Sequence, residues 1–163
     1  MQRVMADQPA PVEVERKYLL SAVPLRARSG RRRQMAQGYI PGEKLQERLR
    51  RVTEEDGTVR CFRTVKLGRG VSRIEVEEQT PSDLFERMWP LTEGARLEKI
   101  RWVVKEPSGV VWEVDEFTDR ELALAEVELP SVDAHVDVPQ WLAPYVVREV
   151  TDEDTYVNIR LAR

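Results

Sequence analysis

An α+β fold built on an eight-stranded antiparallel β-barrel, with a few helices packed outside, is the architecture this 163-residue sequence predicts. Three observations predict it. First, charged residues recur at every second position in Glu13-Val14-Glu15-Arg16-Lys17, Arg48-Leu49-Arg50, Arg73-Ile74-Glu75-Val76-Glu77, Glu113-Val114-Asp115 and Glu126-Val127-Glu128. That is the period of a β-strand, whose alternate side chains share a face. Second, the opposite parity is apolar, with Val12, Val14, Leu49, Ile74, Val76, Ile100, Trp102, Val114, Val127 and Leu129. Third, charge is largely sorted by strand: residues 110–117 and 122–129 are acid-rich, 45–52 and 97–105 base-rich, and 12–20 brings Glu13 and Glu15 beside Arg16 and Lys17. Surface decoration would mix the signs. Helices this few can cover only the outside of a sheet, so the charged faces are expected to line the inside of a barrel without free edges.

Residues 12–20 form the first expected strand. Ser21 to Leu25 offers a capping serine and a short helical start, opposed by Gly30 and by Arg31, Arg32 and Arg33. Residues 35–40 make the second strand, stopped by Pro41-Gly42. Residues 45–52 and 58–67 read as a hairpin turning through Glu54-Glu55-Asp56-Gly57. Gly68-Arg69-Gly70 turns the chain into a strand over 71–79. The period then changes: Thr80 is the expected N-cap and Pro81 the first helical residue, with Leu84, Phe85, Met88 and Leu91 as one apolar stripe. Pro90 should kink or end that helix. Strands return at 97–105, 110–117 and 122–129, with turns at Pro107-Ser108-Gly109 and near Asp119. Residues 141–150 read as a short helix and a strand end, and 152–162 as a terminal helical segment anchored by Tyr156, Ile159 and Leu161. Residues 1–11 read as a flexible leader, leaving 12–163 as a single domain.

Composition narrows the function. With 26 basic and 29 acidic residues the net charge is −3, so affinity for a polyanion must come from local clustering, and a nucleic-acid-coating protein is not expected. The single cysteine, Cys61, excludes an intramolecular disulfide and reads as a core residue. The single histidine, His135, argues against zinc clusters and histidine-based triads. No apolar run approaches the roughly 18 residues of a membrane span, and a cytoplasmic location is expected. Trp89, Trp102, Trp112 and Trp141 read as packing on the outside of the sheet. The run Arg31 to Arg33 reads as a solvated face, able also to gather anions near a barrel mouth.

A charged interior costs several kcal/mol per unpartnered ion, so it must stay hydrated or hold counter-ions. A polyphosphate with divalent cations satisfies both signs. Arginine and lysine hold phosphoryl oxygens, while clustered carboxylates hold Mg²⁺ or Mn²⁺.

The ordered motifs resemble those of the CYTH superfamily, the triphosphate tunnel metalloenzymes. Its opening Glu-x-Glu-x-Lys strand stands here as Glu13, Glu15 and Lys17. There follow Gln37-Gly38-Tyr39-Ile40, Arg48-Leu49-Arg50, Thr64-Val65-Lys66, Arg73-Ile74-Glu75-Val76-Glu77, Lys99-Ile100-Arg101, Trp112-Glu113-Val114-Asp115-Glu116-Phe117 and Ala125-Glu126-Val127-Glu128-Leu129. The tail Glu149-Val150-Thr151, Tyr156-Val157-Asn158 and Leu161-Ala162 resembles bacterial members, and the likeness spans residues 12–162. Thr155 departs from it, standing where bacterial relatives carry a basic residue; Arg148 or Arg160 would have to substitute.

The resemblance implies a tunnel with a triphosphate lying between a basic and an acidic wall. It assigns phosphate binding to Lys17, Arg48, Arg50, Lys66, Lys99 and Arg101, with Arg60 and Arg73 as peripheral candidates. It assigns two Mg²⁺ or Mn²⁺ ions to Glu13, Glu15, Glu113, Asp115, Glu126 and Glu128. One ion would orient the phosphates and the other would lower the pKa of the attacking water. Glu13, Glu15, Lys17, Glu126 and Glu128 form the catalytic set. Glu75 and Glu77 either touch metal or hold the arginines. The expected reaction is hydrolysis of inorganic tripolyphosphate to diphosphate and phosphate. A class IV adenylyl cyclase, a thiamine or nucleoside triphosphatase, and a non-catalytic polyphosphate sensor are the alternatives. The expected partner is a small polyanionic substrate, not nucleic acid or a membrane, bound by a monomer or homodimer.

Overall fold

A computed structural model describes residues 14–42, 45–67, 74–131 and 133–163. The sequence-assigned Glu13 and Arg73 lie outside the described residues, as do the leader and the side chain of Glu75. Among the described residues nine strands form one antiparallel sheet: β1 (Val14–Leu20), β2 (Arg31–Ile40), β3 (Leu45–Glu54), β4 (Val59–Leu67), β5 (Ile74–Thr80), β6 (Arg96–Lys105), β7 (Val111–Phe117), β8 (Ala123–Leu129) and β9 (Val146–Glu149). Their spatial order is β5-β4-β3-β2-β6-β7-β8-β1-β9. The same residues form two short helices, α1 (Ser82–Met88) and α2 (Asn158–Leu161), and several 3₁₀ turns.

This corrects the expected barrel in two ways. The sheet has nine strands, because Val146–Glu149 pairs with β1 beyond a register shift between Leu19 and Leu20. It is also open: among the described residues, no ladder joins the edge strands β5 and β9. Both edges are blunted in the manner of natural edges, β5 by Glu77 and Glu78 and β9 by being four residues long.

The ladders fix which side chains share a face. Lys17 lies opposite Glu126, Glu15 opposite Glu128, Arg101 opposite both Arg33 and Asp115, Arg50 opposite Gln37 and Phe62, and Arg48 opposite Thr64. Lys99 is aligned with Met35 and Phe117, and Glu113 with Glu126. All these side chains point to one side of the sheet. That side is concave: the charge of Glu126 on β8 acts on Tyr39 of β2, and that of Glu113 on β7 acts on Arg50 of β3. Each pair is three strand spacings apart, about 14 Å in a flat sheet, and their mutual influence fits a sheet curled toward this face.

The convex side carries the main apolar core, as the alternation requires. Tyr18, Leu20, Trp102, Val104, Trp112, Val114, Ala125, Val127 and Leu129 pack beneath Ala27 and Leu142 from the connecting segments. A second core joins Leu49 and Cys61 to Phe85 of α1. The helical stripe is narrower than expected: Phe85 is fully buried, but Leu84 and Leu91 are exposed. Thr80 ends β5 instead of capping α1, and Pro81 takes the N-cap. β2 begins at Arg31, four residues before the expected start. Gly38 explains part of the Gln37-Gly38-Tyr39 motif, because a Cβ there would lie 2.5 Å from Thr92 Oγ1. That hydroxyl donates to Trp89 O at 2.7 Å and accepts from Arg96 Nε at 2.8 Å, so it cannot yield freely.

The concave face is not hollow throughout. At one end Tyr39, Leu97, Phe117 and Leu124 pack against Val150 and Ala162, with Tyr156, Ile159 and Leu161 alongside. The C-terminal segment thus lies across this end of the charged face. No helix among the described residues is long and apolar enough to cross a membrane.

Candidate active site

Above the apolar end, the middle of the concave face holds two networks of opposite emphasis. The first centres on Arg101. It donates through Nε to Asp115 Oδ1 at 2.6 Å, through one terminal nitrogen to Asp115 Oδ2 at 2.7 Å and Glu126 Oε2 at 2.9 Å, and through the other to Glu113. Lys99, with no exposed surface, donates to Asp115 Oδ2 at 2.6 Å. Lys17 Nζ lies 3.0 Å from Glu126 Oε1 and 3.6 Å from Glu15 Oε1, and donates to the Tyr156 carbonyl at 3.4 Å. Basic and acidic walls therefore neutralise each other directly, through β6, β7, β8 and β1.

Electrostatics follow from this packing. Burial alone would raise Asp115, but Arg101 and Lys99 outweigh it and hold its pKa far below the usual carboxylate range. Burial would likewise raise Glu126; Arg101, Lys99 and Lys17 overcome both it and the Asp115 charge, so its pKa is lowered. Burial pushes Lys99 down, and the Arg101 charge adds to it against the pull of Asp115. Lys17 ends above its ordinary value because Glu126 and Glu15 override the effect of burial. Glu15 is raised, first by burial and then by the Glu126 charge, although 54% of its side chain meets solvent.

The second network lies on β3, β4 and β5. Glu77 accepts from Arg48 at 2.8 Å, Arg50 at 2.7 Å and the Thr64 hydroxyl at 2.8 Å, and Arg48 also donates to Thr64 at 3.0 Å. Of the two roles weighed for Glu77, these contacts fit that of arginine holder. Burial and the neighbouring Arg48 charge lower the pKa of Arg50, whose guanidinium lies 5.2 Å from the Phe62 ring. Both Arg48 and Arg50 keep a buried Nε–H with no acceptor. A buried donor left unmade costs about 1–3 kcal/mol, and here two point into a concave, cation-rich face.

Of the residues singled out by sequence, Glu15, Lys17, Arg48, Arg50, Arg60, Lys66, Lys99, Arg101, Glu113, Asp115, Glu126 and Glu128 share the concave face by register. They are not equally close. Arg60 is 3.9 Å from Glu54, away from the central networks, and Glu128 is exposed. Among the described residues no group of three or more acids, histidines or cysteines is gathered tightly enough to hold a metal ion. The carboxylates are instead drawn to Arg101 and Lys17. The donor set still fits a hard cation. Glu113 faces Glu126 and Glu15 faces Glu128 across neighbouring strands, like-charge pairs that destabilise a bare sheet and that a divalent ion would relieve. Asp115 fits less well, being completely occupied by two cations. Gln37, Glu54 and Thr64, all buried on the concave face, were absent from the sequence-assigned set. Thr64 and Gln37 could have been found from their parity with Lys66 and Tyr39; Glu54 was hidden in an expected turn.

Comparison with known proteins places this chain in a family. No family model matches the chain. It is 39% identical over 163 aligned residues to an inorganic triphosphatase of Nitrosomonas europaea, covering 92% of this chain and 96% of that one. It is 35% identical over 131 residues to an inorganic triphosphatase of Acetivibrio thermocellus, covering 78% of each. The crystal structure of the inorganic triphosphatase NE1496 superposes with a TM-score of 0.66 at 35% identity, covering 92% of this chain and 93% of the other. With that identity sustained over nearly the whole of both chains, this protein belongs to the inorganic triphosphatase family.

Proposed function

We propose that the chain hydrolyses inorganic tripolyphosphate to diphosphate and phosphate on its concave face, as a divalent-metal-dependent member of the triphosphate tunnel (CYTH) superfamily. The observation that carries this reading is the pair of buried, acceptorless Nε–H groups of Arg48 and Arg50 on the same face as the carboxylates of Glu15, Glu113, Glu126 and Glu128. One set asks for phosphoryl oxygens and the other for a cation.

Phosphoryl transfer needs positioning and charge stabilisation more than covalent chemistry. Arg48 and Arg50, oriented by Glu77, offer their free donors to one end of the triphosphate. Lys17, Lys99 and Arg101 form the facing donors, with Lys66 and Arg60 further out; Arg73 is a candidate on the resemblance alone. Arg101 and Lys17 exchange carboxylate for phosphate as the substrate enters, releasing Glu113, Glu126 and Glu15. Those three with Glu128, and Glu13 on the resemblance alone, would hold Mg²⁺ or Mn²⁺, which when bound would supply charge neutralisation and a lowered pKa for the attacking water. Asp115 keeps Lys99 and Arg101 in place. The C-terminal segment over Tyr39, Leu97, Phe117 and Leu124 shuts water out of one end.

The test is a paired assay with purified protein and Mg²⁺ or Mn²⁺. Phosphate should be released faster from tripolyphosphate than from ATP. Cyclic AMP formed from ATP, with tripolyphosphate untouched, would overturn the assignment in favour of a cyclase.

A further inference from the structure

The edge strand β9 stops at Glu149, one rung short of Lys17. Continuing the ladder past Tyr18–Glu149 sets Lys17 opposite Val150, and the Val150 N–H does donate to the Lys17 carbonyl at 2.8 Å. In a regular hydrogen-bonded antiparallel pair the Lys17 N–H would return a bond to the Val150 carbonyl. That carbonyl instead accepts the Glu153 N–H at 3.0 Å, closing the turn that ends the strand. A side chain takes its place: the Lys17 N–H donates to Thr151 Oγ1 at 3.1 Å.

The direction of this bond is set by its neighbours. The Thr151 hydroxyl donates its one proton to Glu149 Oε1 at 2.6 Å. A carboxylate only accepts, so the proton points at Glu149 and an oxygen lone pair is left for the Lys17 N–H. Arg16, 3.7 Å from the other oxygen of Glu149, holds that carboxylate in turn. The same turn also reaches the far end of the Lys17 side chain. The Tyr156 carbonyl accepts from Nζ at 3.4 Å, beside Glu126 at 3.0 Å and Glu15 at 3.6 Å. Lys17 is buried, so a backbone N–H left there without an acceptor must move to find one. Any such movement is passed to the ammonium, and to Glu15 two residues along the same face of β1.

We propose that Thr151 is a positioning residue for tripolyphosphate hydrolysis. Its hydroxyl completes the β1–β9 rung at Lys17 and so sets where the Lys17 ammonium meets the substrate. The inference deepens the triphosphatase reading and rests on it for the role of Lys17. Thr151 acts through the strand, touching no phosphate itself.

The test compares Thr151→Val, which keeps the shape and loses the hydroxyl, with Thr151→Ser, which keeps the hydroxyl. Steady-state hydrolysis of tripolyphosphate is measured with saturating Mn²⁺. In Thr151→Val, kcat should fall about tenfold with KM changed less than about threefold, because misplaced groups cost most in the transition state. Thr151→Ser should stay within about threefold of the wild type. Val104→Ala, which hollows the convex core away from this turn, should lower the unfolding midpoint and leave kcat unchanged. Amide exchange followed by NMR gives a second readout that needs no substrate: the Lys17 N–H should exchange at least about tenfold faster in Thr151→Val and at close to the wild-type rate in Thr151→Ser. Wild-type kcat in Thr151→Val, equal losses in the valine and serine variants, the same loss in Val104→Ala, or unchanged Lys17 exchange would each overturn the proposal. A wild type that releases no phosphate from tripolyphosphate would count against the triphosphatase reading, while the exchange rates would still decide whether Thr151 fixes the strand.

Discussion

The ammonium of Lys99 rests 2.6 Å from Asp115 Oδ2 with both side chains out of water. The same carboxylate takes two nitrogens of Arg101. An aspartate that closes two cationic side chains into one buried unit fixes the positions of both on the concave face. Buried pairs of this kind are weak sources of net stability, yet costly to break from one side.

Replacing Asp115 by Asn should therefore destabilise the protein by about 3–5 kcal/mol, since it leaves Lys99 and Arg101 under-compensated in the interior. Urea unfolding in EDTA measures this. An unchanged midpoint, together with weaker Mn²⁺ binding, would return Asp115 to the metal set.

Glu77→Gln should act on binding. Arg48 and Arg50 lose their shared charged acceptor, and KM for tripolyphosphate should rise about tenfold with a smaller change in kcat, the pattern of lost ground-state contacts. Arg50→Ala should shift KM in the same direction and further. A fall in kcat at constant KM would show that Glu77 serves the chemical step.

Glu15→Ala and Glu128→Ala should abolish turnover while leaving the unfolding midpoint close to the wild type, because both side chains are largely in water. If both variants hydrolyse tripolyphosphate at the normal rate, the metal assignment is wrong.

Tyr39 gives a pH-dependent outcome. Burial pushes its phenol up to about 12, against an unfolded value near 10. A folded pKa above the unfolded one contributes stability in full below pH 10 and loses it as pH climbs through 12, a loss of about 2–3 kcal/mol. Tyr39→Phe should lack that part of the decline, as followed by urea unfolding between pH 9 and about 12. Parallel curves for the two proteins would contradict the burial argument.

Much of this was written in the local pattern. Arg48-Leu49-Arg50 and Glu113-Val114-Asp115 alternate so regularly that face and parity follow from the strand period alone, and the ladders place these charges together. What lay beyond the sequence depends on contacts between distant segments. Whether β5 meets β9 is set by how far the sheet curls, which no single strand encodes. The start of β2 was obscured because Arg31, Arg32 and Arg33 erase the polar–apolar alternation, although Arg32 and Arg33 are both half-buried. The charge of Asp115 was legible; its occupation by Lys99 and Arg101 was not, since a carboxylate beside a cation and one beside a metal look alike in a chain of letters. Apolar Leu97, Phe117 and Leu124 on the charged parity were the overlooked sign that one end is filled.

The most direct measurement is the anomalous scattering of Mn²⁺ in crystals grown with tripolyphosphate. Manganese is expected among Glu15, Glu113, Glu126 and Glu128, with phosphate on the Nε–H groups of Arg48 and Arg50 and Arg101 swung from carboxylate to phosphoryl oxygen. Manganese and phosphate bound on the convex side or at the strand edges, with the Arg101 cluster unchanged, would contradict it.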